Sequence, residues 1–135
     1  MRNSTTILVF LLILLISSAC DNSEIEMVSD KREFKELRHQ YEQAFNASEI
    51  KLYFGEVSDP VYRSFTIEFV FKSQTVVKLL DEKISKKIAR SFFEKLSPEE
   101  IGRIDYIDIY FSTWKEHVIW DQGHVEIEQF SINDF

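Results

Sequence analysis

Apolar and polar positions along the chain change period several times, and each change marks an element. Residues 7–16 are an unbroken apolar run of ten. From Phe34 onward the apolar positions Phe34, Leu37, Tyr41, Ala44 and Phe45 recur at three- and four-residue steps. That spacing puts one stripe on a helix of about four turns. Asp30 followed by Glu33 reads as the capping pair that starts it. The period then drops to two. Ile50, Leu52 and Phe54 alternate with more polar neighbours, and Phe65, Ile67, Phe69 and Phe71 alternate with Thr66, Glu68 and Val70. Both stretches predict strands with one buried face, joined by an exposed loop that Gly55 and Asp59-Pro60 mark.

A second helical period spans residues 75–96, with Val77, Leu80, Ile84, Ile88, Phe92 and Leu96 on one side. Ser97-Pro98-Glu99-Glu100 combines an N-cap serine, proline at the first helical position and glutamate at the third, so it predicts a brief helical turn ending at Gly102. Residues 104–111 alternate again, with Ile107, Ile109 and Phe111 on one face and Tyr106, Asp108 and Tyr110 on the other. Residues 117–120, the turn Asp121-Gln122-Gly123 and residues 124–132 predict a closing hairpin. The resulting order is α-β-β-α-β-β. It predicts an α+β domain over residues 30–135, an antiparallel sheet of four or five strands with two helices packed on one face.

The N-terminal run has a different meaning. Arg2 precedes it with no acid nearby, and Ser17-Ser18-Ala19 follow it, which is the layout of an export signal. Ten residues of helix cover roughly 15 Å, about half of a hydrocarbon core of roughly 30 Å, so a spanning helix fits poorly. These residues alone leave a cleaved secretory signal and an uncleaved anchor both open. Cys20, the single cysteine, stands directly after Ile16-Ser17-Ser18-Ala19. This resembles the lipobox of bacterial lipoproteins, with Ser17 at the place where leucine is commonest. The resemblance covers residues 1–20 only. It implies a signal peptide over 1–19, acylation of Cys20 with palmitate-type chains, and a membrane-anchored location in the bacterial cell envelope, at the cell membrane or the outer membrane, with the domain outside the cytoplasm. Residues 20–29, small and acidic without apolar period, then read as the lipidated cysteine and a tether.

Charge narrows the partners. The full chain carries −7, and loss of residues 1–19 removes Arg2 and no acid, leaving −8. Such a domain repels phosphate, which sets nucleic acid aside. Lys83, Lys86, Lys87 and Arg90 read as a solvated helix face beside Asp81, Glu82 and Glu94. The partners this leaves are the membrane, through the anchor at Cys20, and an envelope protein.

The residues that carry chemistry are sparse. His124, Glu126 and Glu128 share one face of the last predicted strand, with His117 across the turn, and imidazole with carboxylates is a zinc- or manganese-type donor set. Their spacing matches no compact metal motif, and a solvated polar face accounts for them, so no metal or cofactor is expected. No serine sits in a Gly-x-Ser-x-Gly turn, three glycines do not build a phosphate loop, and Asp105 with Asp108 or Glu99 with Glu100 read as surface pairs. No catalytic residue follows from this. Aromatics are the unusual feature, with 12 Phe, 5 Tyr and 2 Trp. The phenylalanines largely point inward by period, whereas Tyr53, Tyr106, Tyr110, Trp114 and Trp120 fall opposite the predicted core or in connecting segments. There an amphipathic ring suits a binding face. The leading reading is therefore a binding or interaction module. A second is a small-ligand carrier or envelope hydrolase with a pocket between sheet and helices.

Overall fold

The computed structural model describes residues 23–72, 81–115 and 122–135. The elements in chain order are β1 (Ser23–Met27), α1 (Arg32–Phe45), β2 (Glu49–Ser58), β3 (Val61–Phe71), α2 (Glu82–Phe93), α3 (Pro98–Ile101), β4 (Tyr106–Lys115) and β5 (Gln122–Ser131), closed by a 3-10 turn at Ile132–Asp134. The five strands form one sheet in the order β1-β2-β3-β4-β5. The class is α+β.

The sheet is mixed rather than antiparallel. β2 and β3 form the anticipated hairpin, with Ser58 opposite Val61, and β4 and β5 are antiparallel. β3 and β4, however, run parallel, with Phe65 beside Ile107 and Phe69 beside Phe111. The physical reason is the connection: a whole helix separates the two strands, and such a crossover returns the chain to the end from which β3 began.

Residues expected in the tether also take part. Ser23–Met27 pairs antiparallel with β2, placing Ser23 opposite Val57 and Met27 opposite Tyr53. Its backbone satisfies the otherwise open edge of β2, and Arg103 donates to Glu26 at 2.7 Å. Only two residues remain between Cys20 and this strand.

The helices differ from the periodic reading at their starts. α1 is preceded by Lys31, whose side chain caps nothing, so Asp30 is not the cap. Asp30 instead lies 3.8 Å from Arg38. The helix closes on Asn46, which takes the left-handed conformation at φ 53° and donates to the carbonyl of Gln43. α2 starts at Asp81, whose carboxylate accepts from the Ile84 amide at 2.9 Å. The part of the expected helix at 75–80, with Val77 and Leu80, lies outside the described residues. The Ser97 cap forms as anticipated, since Ser97 Oγ accepts from Glu100 N at 3.2 Å and Glu100 Oε1 accepts from Ser97 N at 3.0 Å. The reciprocal pair satisfies two free helix-end donors and fixes a four-residue helix.

The core lies on one side of the sheet. Ile50, Leu52 and Phe54, then Phe65, Ile67, Phe69 and Phe71, then Ile107, Ile109 and Phe111 are all buried, and by strand alternation they share a face. Phe34 of α1 meets Phe65 at 5.6 Å and Phe92 of α2 at 6.3 Å between ring centres, and Tyr41 meets Phe69 at 6.5 Å. The Tyr41 hydroxyl and Ser91 Oγ, 2.8 Å apart, link the two helices. Each buried phenylalanine of this kind contributes roughly 1.5–3 kcal/mol over exposure. No helix among the described residues is long and apolar enough to cross a membrane.

Candidate functional site

The face opposite the helices has a different chemistry. Alternation that sends Ile67, Ile109 and Phe65 to the core sends Thr66, Asp108, Ser64 and Tyr110 the other way. Register across the strands sets Tyr53, Thr66, Asp108 and Gln129 in one row, and Lys51, Glu68, Tyr110 and Ile127 in the next. Tyr106 lies beside Ser64 in the preceding row. Three of the residues anticipated for a binding face, Tyr53, Tyr106 and Tyr110, thus come together here. The backbone of Trp114 continues β4 opposite Gly123, but its side chain and all of Trp120 lie outside the described residues, as does Cys20.

The centre of the face is Asp108, only 1% exposed. Its carboxylate accepts from the Tyr62 hydroxyl and, at 3.2 Å, from the Gln129 amide. The same amide donates to the Tyr62 oxygen at 2.5 Å, closing a triangle from β3, β4 and β5. The Tyr62 ring stacks on the Tyr106 ring at 5.3 Å between centres. Glu68 accepts from Ser112 Oγ at 3.0 Å, and Ser112 is itself fully buried. This polar layer is therefore ordered by hydrogen bonds where the other face is ordered by packing.

Burial raises the Asp108 carboxyl above its ordinary value, against the opposing pull of the bonds from Tyr62, Gln129 and Ser64. Burial, then the nearby Glu68 and Tyr110, pushes the Tyr53 phenol up to about 12. Tyr62 is raised by burial and by its bond to Asp108, and Tyr110 by burial, Asp108 and Glu68. These three phenols therefore stay protonated at neutral pH and offer both a donor and an acceptor. That arrangement is suited to recognition: rings and hydroxyls over a fixed acidic centre, with Asp108 held by Tyr62 and Gln129.

Tyr62, Gln129 and the buried role of Asp108 were not read from the sequence. Extending the alternation of β3 back from Thr66 through Ser64 reaches Tyr62, so the signal for that residue was present. Asp108 does not form a surface pair with Asp105, which instead receives a two-pronged bond from Arg63 at 2.8 and 3.0 Å. That pairing holds Asp105 below the usual carboxylate range.

The polar strand face of β5 also differs from expectation. Glu128 lies opposite the core residue Ile109, and its Oε2 is buried, with no hydrogen-bond partner among the described residues. It is not a freely solvated side chain. His117 and the side chains of His124 and Glu126 lie outside the described residues. Among those described, no group of three or more His, Cys, Asp and Glu side chains is placed to hold a metal ion. A cleft of about 480 Å³ opens beside β1 and β2, between Ile25, Phe54, Ser64 and Arg103. Arg63 and Arg103 on its wall are already matched by Asp105 and Glu26.

Comparison of the chain with family models, with curated proteins and with solved structures finds no match.

Proposed function

We propose that this protein is a bacterial envelope lipoprotein that is exported, cut before Cys20, acylated there, and presents its tyrosine face to another envelope protein. The observation that carries the binding part is the gathering of Tyr53, Tyr62, Tyr106 and Tyr110 on the face of the sheet opposite α1 and α2, around the buried Asp108. Tyrosine supplies large contact area with few rotatable bonds and a polar tip, which suits hot-spot positions. The anchoring part is supported by Cys20 following Ile16-Ser17-Ser18-Ala19 after the ten-residue apolar run. Two or three acyl chains there hold a protein on a bilayer in a way that one chain does not.

The anchor is tested by the intact mass of the protein recovered from its native membrane, beside a Cys20→Ser control. A species beginning at Cys20 with added acyl mass, absent from the control, is the expected result. A full-length or unacylated mass overturns the anchored reading.

A further inference from the structure

The end of the sheet at which the chain enters is unlike the rest of the surface. β1 begins at Ser23, three positions after Cys20, and three residues of extended chain reach at most about 10 Å. Ser23 pairs with Val57, next to the tip of the β2–β3 hairpin. An acyl group on Cys20 therefore brings that tip to the bilayer surface. The tip is also where apolar side chains stand exposed. Val61 is 68% exposed and Val57 39%, and Ile25, opposite Gly55 two positions from Val57, is 65% exposed. Val57 and Val61 lie on opposite faces of the hairpin by alternation, so the tip offers apolar surface to both sides, with Pro60 exposed between them.

We infer that the β2–β3 hairpin tip is a second membrane contact, seating Val57, Val61 and Ile25 in the headgroup region of a zwitterionic bilayer beside the anchor. This rests on the acylation of Cys20 proposed above. The lipid class follows from charge. Residues 56–62 contain Glu56 and Asp59 and no lysine or arginine, and the adjoining Arg63 is matched by Asp105. An anionic surface repels such a tip. The anchor makes tip contact an intramolecular event, so a shallow and individually weak insertion is populated. With the tip down, the strands rise away from the surface and the tyrosine face is turned towards neighbouring envelope proteins.

The test uses the acylated full chain in phosphatidylcholine vesicles. Cys20 is the only native cysteine, so Val61→Cys provides one free thiol for an environment-sensitive fluorophore once Cys20 is acylated. His39→Cys, on the exposed side of α1, serves as the reference. Quenching by nitroxide-bearing lipid is expected to be several-fold stronger at 61 than at 39, to fall when Val57→Asp is added, and to fall when phosphatidylglycerol is mixed into the vesicles. Equal quenching at the two positions overturns the proposal. So does a blue shift at 61 that rises with protein density without lipid quenching, because a second copy then covers the tip. Intact mass and vesicle flotation of the same sample separate the two levels. An acylated, floating protein with an unquenched tip keeps the anchor and rejects the tip contact, whereas an unacylated protein rejects both.

Discussion

The two faces of the central strands are made by adjacent residues and ordered by different forces. Ile109 is fully buried, with Ile67 and Glu128 as its register neighbours, and the adjacent Tyr110 stands half-buried on the other side near Glu68 and Asp108. On the helix-covered face the central side chains of β2, β3 and β4 are hydrocarbon, and their order comes from close packing. On the open face they are phenols, hydroxyls, amides and acids, and their order comes from Tyr62, Gln129 and Ser112 holding Asp108 and Glu68 in place. Such a polar layer is a costly way to stabilise a sheet, since burying Asp108 raises its carboxyl. A solvent-facing β-sheet needs no buried acid. Its presence beside the tyrosines is what supports the binding role proposed above.

The sharpest break in this comparison is made by truncating one face at a time. Ile109→Ala leaves a cavity in the core and is expected to cost about 2–5 kcal/mol of unfolding free energy. Tyr110→Ala, one residue along, is expected to cost less than half as much, because no enclosed cavity is left. Urea unfolding of both variants checks this, and equal losses would show that the open face is packed as the core is. A smaller effect belongs to Ser112→Ala, which removes the donor to Glu68 and is expected to cost about 1 kcal/mol, the ordinary net worth of one such bond.

The subtlest effect is the pH dependence of Asp108. Its folded value is raised, so folding favours the protonated form, and the buried charge opposes stability at neutral pH. As pH falls through the raised folded value towards the unfolded one of 3.8, that opposition disappears. Relative to Asp108→Asn, the parent protein is therefore expected to gain stability on acidification. Asp105 and Glu26, both lowered by their arginine partners, act the opposite way in parent and variant alike and cancel from the difference. Paired unfolding curves from neutral to acid pH give the sign, and a parent that loses stability relative to the variant would contradict the burial of Asp108.

How far the sequence led follows the same division. Period two in β2, β3 and β4 assigned the core and set Tyr53, Tyr106 and Tyr110 opposite it, because alternation is a strong local signal. β1 was hidden, since Ile25 and Met27 remain exposed beside Glu24 and Glu26 and an edge strand with no buried face has no burial pattern to show. The parallel pairing of β3 with β4 was legible only from the helix between them, not from either strand. The engagement of Asp108 by Tyr62 and Gln129 depends on register across three strands, which no local pattern contains.

The most direct test of the binding face is site-specific photocrosslinking in native membranes, with a benzophenone amino acid at position 110 and, for comparison, at position 39 on α1. The account predicts one discrete protein adduct from position 110, absent from position 39 and lost when Tyr53→Ala is added. No adduct at 110, or the same adducts from both positions and insensitive to Tyr53, would contradict it.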